Sequence, residues 1–220
     1  MSRTYPTTPR NKVRQLPRKA SYDREAVAGI LRAGLVAQVA FVQDGAPVVV
    51  PMIYGVDRDI IYLHGARKAR IVRLLEKSGT VCLNVTLLDA IVLARSAFNS
   101  SMNYRSVTVF GTPRLLEDAG EKVEAMRIIS EHTMPGRWSE LREPHEREVK
   151  MTGVIAMTID TASAKVSSGM PDDEPEDYDI PVWAGILPLT SMLGALHPDD
   201  RLQAGVQPSD ALLSMQHRSL

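Results

Sequence analysis

The chain has 220 residues, of which 44% are apolar and 24% are charged, a composition that suits one globular domain with a buried core. Lys and Arg number 26 and Asp and Glu also number 26, so there is no net charge to recruit DNA or anionic lipid. Aromatic residues make up only 5%, which disfavours stacked nucleic-acid platforms, and the single cysteine, Cys82, excludes an internal disulfide.

The sequence also lacks the usual signals for export or membrane insertion. No apolar run approaches the ~20 residues that span a bilayer, and no apolar signal core follows the first methionine. A lone cysteine fits a reducing compartment. We therefore expect a cytoplasmic protein with no membrane partner and no nucleic-acid partner.

Residues 1–20 predict a basic extended arm, because they combine prolines and cations with no acidic residue. The cations are Arg3, Arg10, Lys12, Arg14, Arg18 and Lys19. A helix is expected next, since Ser21 or Asp23 can cap its N-terminus, its apolar face carries Val27, Ile30 and Leu31, and Gly34 ends it. The main domain is therefore placed at 21–190.

Residues 35–64 predict a three-stranded meander. Two runs rich in β-branched residues, 35–42 and 48–56, flank Asp44-Gly45, a dipeptide typical of hairpin turns. A short turn at 57–59 then leads into a third strand at 60–64.

The rest of the chain combines short apolar runs with two helical patterns, at 69–77 and 118–132. The first helix is expected to bury Ile71, Leu74 and Leu75. The further strands are expected at 80–88, 91–95, 104–112, 154–160 and 182–189. Because these strands are joined by hairpins and the helices are inserted rather than alternating, we predict a mainly β fold, a six- to seven-stranded antiparallel split barrel.

An acidic loop precedes the last strand, and a loosely ordered tail is expected at 191–220. Residues 170–180 contain no base, and their acids are Asp172, Asp173, Glu174, Glu176, Asp177 and Asp179. The basic arm and the acidic loop could bridge two subunits or two parts of one chain, or both could be solvated.

The segment His64-Gly65-Ala66-Arg67-Lys68-Ala69-Arg70 ends a predicted strand and begins a predicted helix. Its three cations crowd a helix N-terminus, where the helix dipole disfavours positive charge by up to ~1 kcal/mol. A bound anion reverses that sign, because free backbone N–H groups and the cations then hold a phosphate together. The segment therefore fits either a phosphate site or a solvated basic turn.

A second polar segment leads into the strand at 104–112. Strand alternation gives two faces, one with Tyr104, Ser106 and Thr108 and the other with Arg105, Val107 and Val109. The apolar set suits a barrel interior, so the polar set is expected to face a groove or water.

Four segments together resemble the pyridoxamine-phosphate-oxidase-like split barrels, and within them the flavin-nucleotide-binding proteins that include the nitroimidazole-resistance group. They are Pro-Val-Val-Val-Pro-Met at 47–52, Tyr-Leu-His-Gly-Ala-Arg-Lys at 62–68, Met-Asn-Tyr-Arg-Ser-Val at 102–107 and Pro-Val-Trp-Ala-Gly-Ile-Leu-Pro-Leu at 181–189. The resemblance implies a homodimer with flavin mononucleotide (FMN) held in two grooves at the subunit interface.

The resemblance also implies roles for individual residues. Arg67 and Lys68 would hold the phosphate, Val50 and Met52 would offer backbone groups to the isoalloxazine ring, and His64 would be the candidate catalytic residue beside it. The implied cofactor-binding set is Val50, Met52, His64, Arg67, Lys68, Ser106 and Trp183. The remaining histidines show no metal-ligand spacing, so no metal site is expected.

Several functions stay open at this point. The first is an FMN-dependent oxidoreductase that acts on a small molecule and is reduced by NADH or NADPH. The second is a non-enzymatic flavin carrier or sensor, because no catalytic acid or base stands out beyond His64. A third is a haem protein with His64 as an axial ligand, and a deazaflavin cofactor is a further alternative.

Overall fold

Six long strands form the body of the protein, which is described by a computed structural model over residues 3–219. With two short strands, β1 and β8, they make eight in the described chain: β1 Ala20–Ser21, β2 Val36–Gln43, β3 Ala46–Asp57, β4 Ile60–Ala66, β5 Val81–Leu93, β6 Ser101–Leu115, β7 Thr152–Ser167 and β8 Gly185–Pro188. The α-helices are α1 Arg24–Ala33, α2 Arg70–Lys77, α3 Ala119–Thr133, α4 Glu146–Met151 and α5 Asp210–Met215. Short 3-10 helices lie at Pro17–Lys19, Trp138–Glu140 and Pro175–Asp179.

The sheet closes on itself as an antiparallel barrel. The strand order is β7-β4-β3-β2-β5-β6, and β6 pairs back onto β7. The two short strands are additions, since β1 pairs with β7 and β8 pairs with β5. The predicted split barrel with inserted helices is therefore confirmed.

Alternating side chains of the long strands fill the barrel. Val39, Leu63, Val107 and Ile155 are all at most 1% exposed and lie on four different strands. The two helices at the start of the chain and after β4 add to this core, α1 with Val27, Ile30 and Leu31 as predicted, and α2 with Val72 and Leu75.

Three predicted elements differ from the observed ones. The runs 80–88 and 91–95 form one strand, β5. A bulge at Asp89 leaves that residue unpaired, and pairing with β6 continues on both sides of it. On α2 the fully buried residue of the first turn is Val72 rather than Ile71. The expected strand at 182–189 is reduced to Gly185–Pro188.

Helix α3 packs on the outer face of β3, β4 and β7 and creates a second, smaller core. Leu116, Ala125, Val154 and Ala156 are buried there. Gly55 of β3 permits this packing, since a Cβ at that position would lie only 2.7 Å from the backbone nitrogen of Ile129.

The predicted N-terminal arm is fastened to the barrel. Tyr5 is 4% exposed and belongs to the main core, and its hydroxyl donates to Asp59 Oδ1 at 2.6 Å. Arg24 donates to the same oxygen at 2.5 Å and lies over the Tyr5 ring. Asn11, also buried, donates to the Ala162 carbonyl at 2.9 Å.

Removing the Tyr5 hydroxyl should loosen this arm. Tyr5→Phe deletes a partly buried hydrogen bond to a carboxylate, so we expect the free energy of unfolding to fall by about 1.5–3 kcal/mol. Chemical denaturation followed by circular dichroism measures the change. Tyr178→Phe is the matched control, because Tyr178 is 52% exposed and should lose almost nothing; equal losses would show that the Asp59 contact does not anchor the arm.

The acidic loop contacts the rest of its own chain at Arg95, through Asp173 and Tyr178. The Asp173 carboxylate is fully buried and accepts hydrogen bonds at 2.9 Å from both the backbone nitrogen and Nη1 of Arg95. Arg95 also lies over the Tyr178 ring.

The tail after residue 190 includes α5 and a bridge between Met192 and Ser219. None of the helices in residues 3–219 has the length and apolarity to cross a bilayer.

Candidate functional site

The turn between β4 and α2 leaves a helix N-terminus without a side-chain cap. Ala69 is the N-cap residue and its methyl group cannot accept the first N–H groups of α2. The turn itself is held by two backbone bonds, from Arg67 N to the Met151 carbonyl at 2.7 Å and from Ala69 N to the Ala66 carbonyl at 2.8 Å. This fixed end of a helix is suited to an anion.

The cations at this turn differ in what they contact. The Arg67 guanidinium lies 3.6 Å from Glu76 and 3.4 Å from Glu117, both near the limit of an ion pair. Arg70 donates to the Gln43 side chain. Lys68 is exposed and has no ion pair among residues 3–219. Arg67 and Lys68 are therefore placed together at the helix start, as predicted.

A glycine in β7 allows the turn to lie this close to the barrel. A Cβ at Gly153 would be 2.6 Å from a methyl carbon of Val72 and 3.2 Å from Cα of Arg67. Because Val72 is buried and the Arg67 backbone is hydrogen-bonded to Met151, neither can move away easily. The position of Arg67 therefore depends on a residue more than 80 positions later in the sequence.

The barrel is split next to this turn. The ladder between β3 and β4 ends at Tyr54 and Leu63, so the next two residues, Ile53 and His64, are not paired with each other. Both instead line a cavity of ≈ 340 Å³ under α3. The other lining residues are Met126, Ile129, Ser130, Thr133, Met134 and Thr152. Its walls are mainly apolar, as in most ligand pockets, and its size lies within their range of about 300–1,000 Å³.

Two polar atoms at this cavity are buried without a hydrogen-bond partner, Nδ1 of His64 and the hydroxyl of Ser130. Burial lowers the pKa of His64 below its ordinary value of 6.5, so the ring is neutral at pH 7. Unsatisfied buried polar atoms are rare and indicate a missing partner. The neutral imidazole can accept a hydrogen bond or coordinate a metal ion.

The predicted ring-contacting residues lie on the same strand as the split. The side chains of Val50 and Met52 turn inward and pack against the core. Their strand, β3, is paired with β2 over residues 46–53 and with β4 over residues 54–57. Over residues 46–53 the second edge of β3 has no partner strand within the described chain, so its backbone groups remain available there.

Two predicted residues lie elsewhere. Ser106 is on the outer face of β6, where its hydroxyl is 2.9 Å from that of Thr86 and accepts from Asn84. Trp183 is 70% exposed and its ring covers Gly185 at the start of β8. Among residues 3–219 neither one lines the His64 cavity. Of the predicted set, His64 lines the cavity, and Arg67 and Lys68 lie at the turn that follows its strand.

The sequence reasoning missed the residues that α3 brings to the cavity, above all Ser130. It also missed Glu76 and Glu117 as contacts of Arg67. The apolar spacing of 118–132 predicted a helix but not the strand face that it covers. No local signal identified these residues.

An uncovered apolar face adjoins the cavity. Five side chains of β2, β3 and β5 are 44–69% exposed: Val36, Val42, Val49, Ile53 and Leu88. Val36 and Ile53 are directly paired across the strands, and Ile53 also lines the cavity. The face and the cavity are therefore continuous.

Comparison with known proteins agrees with this geometry. The model of the pyridoxamine 5'-phosphate oxidase family matches residues 23–166. The chain belongs to the pyridoxamine 5'-phosphate oxidase family. The match covers the barrel from α1 to the end of β7, and so includes the split, the cavity and the turn at Arg67. No curated protein matches the chain.

Two solved structures in this family's fold are similar over nearly their whole length. Flavocytochrome Anf3 from Azotobacter vinelandii is 36% identical, with 95% of this chain and 97% of that chain covered and a TM-score of 0.89. An FAD and heme binding protein from Mycobacterium smegmatis is 35% identical, with coverages of 90% and 98% and a TM-score of 0.87. A candidate 5-nitroimidazole antibiotic resistance protein from Bacteroides thetaiotaomicron, 24% identical over 67% of this chain and 86% of that chain with a TM-score of 0.58, shares the fold.

Proposed function

We propose that this protein binds a flavin nucleotide and acts as a flavin-dependent oxidoreductase. The observation that carries the proposal is the uncapped start of α2, where Arg67 and Lys68 are held beside free helix N–H groups. A phosphate there satisfies the helix end and removes the cost of cations near a positive dipole. The flavin supplies the electron chemistry, and the chain binds and orients it.

The phosphate site accepts either common flavin nucleotide. FMN is the cofactor implied by the sequence motifs, whereas a 35% identical relative is described as binding FAD. Both carry a phosphate on the ribityl chain, so Arg67 and Lys68 serve either one. The free edge of β3 near Val50 and Met52 would then meet the ring.

A haem at His64 is the second candidate, and one observation favours it. The imidazole is neutral, has a buried nitrogen without a partner and lines a largely apolar cavity. Those properties suit an axial haem ligand with apolar contacts to the macrocycle. Two relatives of similar length are described as a flavocytochrome and as an FAD and heme binding protein, which supports a chain that binds both groups.

We also propose a homodimer, with NADH or NADPH as the reductant. Burying the exposed apolar face of β2, β3 and β5 against a second copy would remove Val42 and Val49 from water. Because Ile53 belongs to both the face and the cavity, the second copy would also close the cavity. In such a dimer the partner's Trp183 would cover the flavin, since the chain's own Trp183 does not line the cavity at His64.

The cofactors can be identified directly from the purified full-length protein. We expect flavin absorbance bands, a haem Soret band that is lost in His64→Ala, and a released flavin whose mass is that of FMN or FAD. Bleaching of the flavin by NADH or NADPH with turnover of an electron acceptor would exclude a pure carrier. A protein that stays colourless after incubation with FMN, FAD and haem would overturn the proposal.

A further inference from the structure

The arginine at the proposed phosphate site is flanked by two carboxylates. Glu76 comes from the last turn of α2 and Glu117 from the connection between β6 and α3, so they approach Arg67 from separate elements. Their distances to the guanidinium, 3.6 and 3.4 Å, are longer than those of good charge-assisted hydrogen bonds. They therefore act on Arg67 mainly through charge.

The local charge balance limits which phosphate can bind. Arg67, Lys68 and Arg70 contribute three positive charges at the helix start, and Glu76 and Glu117 contribute two negative charges, so the carboxylates cancel most of the positive charge there. A terminal phosphate such as that of FMN carries close to two negative charges at pH 7. Each phosphate of the FAD diphosphate carries one, so it is repelled less by the same carboxylates.

We propose that Glu76 and Glu117 are specificity determinants that disfavour a terminal phosphate monoester and so select the diphosphate FAD over FMN. This inference rests on the proposed flavin site at Arg67. Both glutamates are outside the barrel core, with Glu117 71% and Glu76 36% exposed at the side chain, so their substitution should leave the fold intact. A glutamine in either position keeps an acceptor for Arg67 and removes only the charge.

The test compares three ligands with the full-length Glu76→Gln/Glu117→Gln variant. We expect FMN affinity to rise about tenfold, FAD affinity about threefold and riboflavin affinity not at all, with the gains reduced at high salt, as for partly exposed charges. Fluorescence titration of each flavin measures the dissociation constants. Glu121→Gln is the control, because that carboxylate pairs with Arg114 at 3.1 Å instead of with Arg67.

The outcomes separate this inference from the proposal on which it rests. If Arg67→Ala does not weaken binding of either nucleotide, the phosphate lies elsewhere and both fail. If Arg67→Ala weakens binding but the double glutamine variant leaves the FMN-to-FAD preference unchanged, only the specificity role is overturned. A loss of affinity for both nucleotides in the glutamine variant would also overturn it, since the carboxylates would then support the site.

Discussion

Replacing Arg67 and Lys68 together with alanine should weaken binding of FMN or FAD by at least about 100-fold, because each lost charge-assisted contact contributes about 1.5–3 kcal/mol. Riboflavin has no phosphate, so its affinity should change little. Titration of the three flavins into the full-length variant provides the comparison. The result would tie both side chains to the phosphate rather than to the ring.

The control for this variant removes the same charge from another place. Lys12→Ala/Arg14→Ala takes two exposed cations from the N-terminal arm and should leave all three affinities unchanged. Equal losses for riboflavin and the nucleotides in Arg67→Ala/Lys68→Ala would contradict a phosphate site and indicate a general change in the fold.

Gly55→Ala should destabilise the protein and disturb the cavity at the same time. The added Cβ would meet backbone atoms of Ile128 and Ile129 at 2.7–2.9 Å, and backbone in the middle of α3 cannot rotate away as a side chain can. Overpacking of this kind costs up to about 3 kcal/mol, or a fall in Tm of roughly 6–12 °C for a chain of this size. Thermal unfolding followed by circular dichroism measures it.

A second glycine-to-alanine substitution serves as a matched control, because its expected effect on stability is the opposite. Gly29 is an exposed residue inside α1, and a Cβ there meets nothing within 4 Å. Gly29→Ala should therefore raise stability by up to about 1 kcal/mol, the difference in helix propensity between the two residues. If Gly55→Ala were as harmless as Gly29→Ala, α3 would not be packed against β3 as closely as described.

Local sequence determined the elements of the barrel. β-Branched runs around Asp44-Gly45 produced the β2–β3 hairpin, and Asp23 and Gly34 bounded α1. The charge pattern at Arg67 and Lys68 located the helix start that is suited to an anion, because that feature depends only on neighbouring residues. At Asp89 the strand pattern is interrupted, and the sequence predicted two strands where the structure has one. A bulge is recognised only from its pairing with the partner strand.

The surroundings of the site were decided by tertiary structure. Ser130 lines the same cavity as His64 only because Gly55 allows α3 to pack on the outer sheet face, and Arg67 meets Glu117 only because the β6–α3 connection passes the turn. These pairs of residues are about 50 to 70 positions apart, and no periodicity in the sequence specifies that they come together. The sequence therefore predicted which residues would hold a charged ligand, whereas packing between distant segments formed the cavity at His64 and brought the two carboxylates to Arg67.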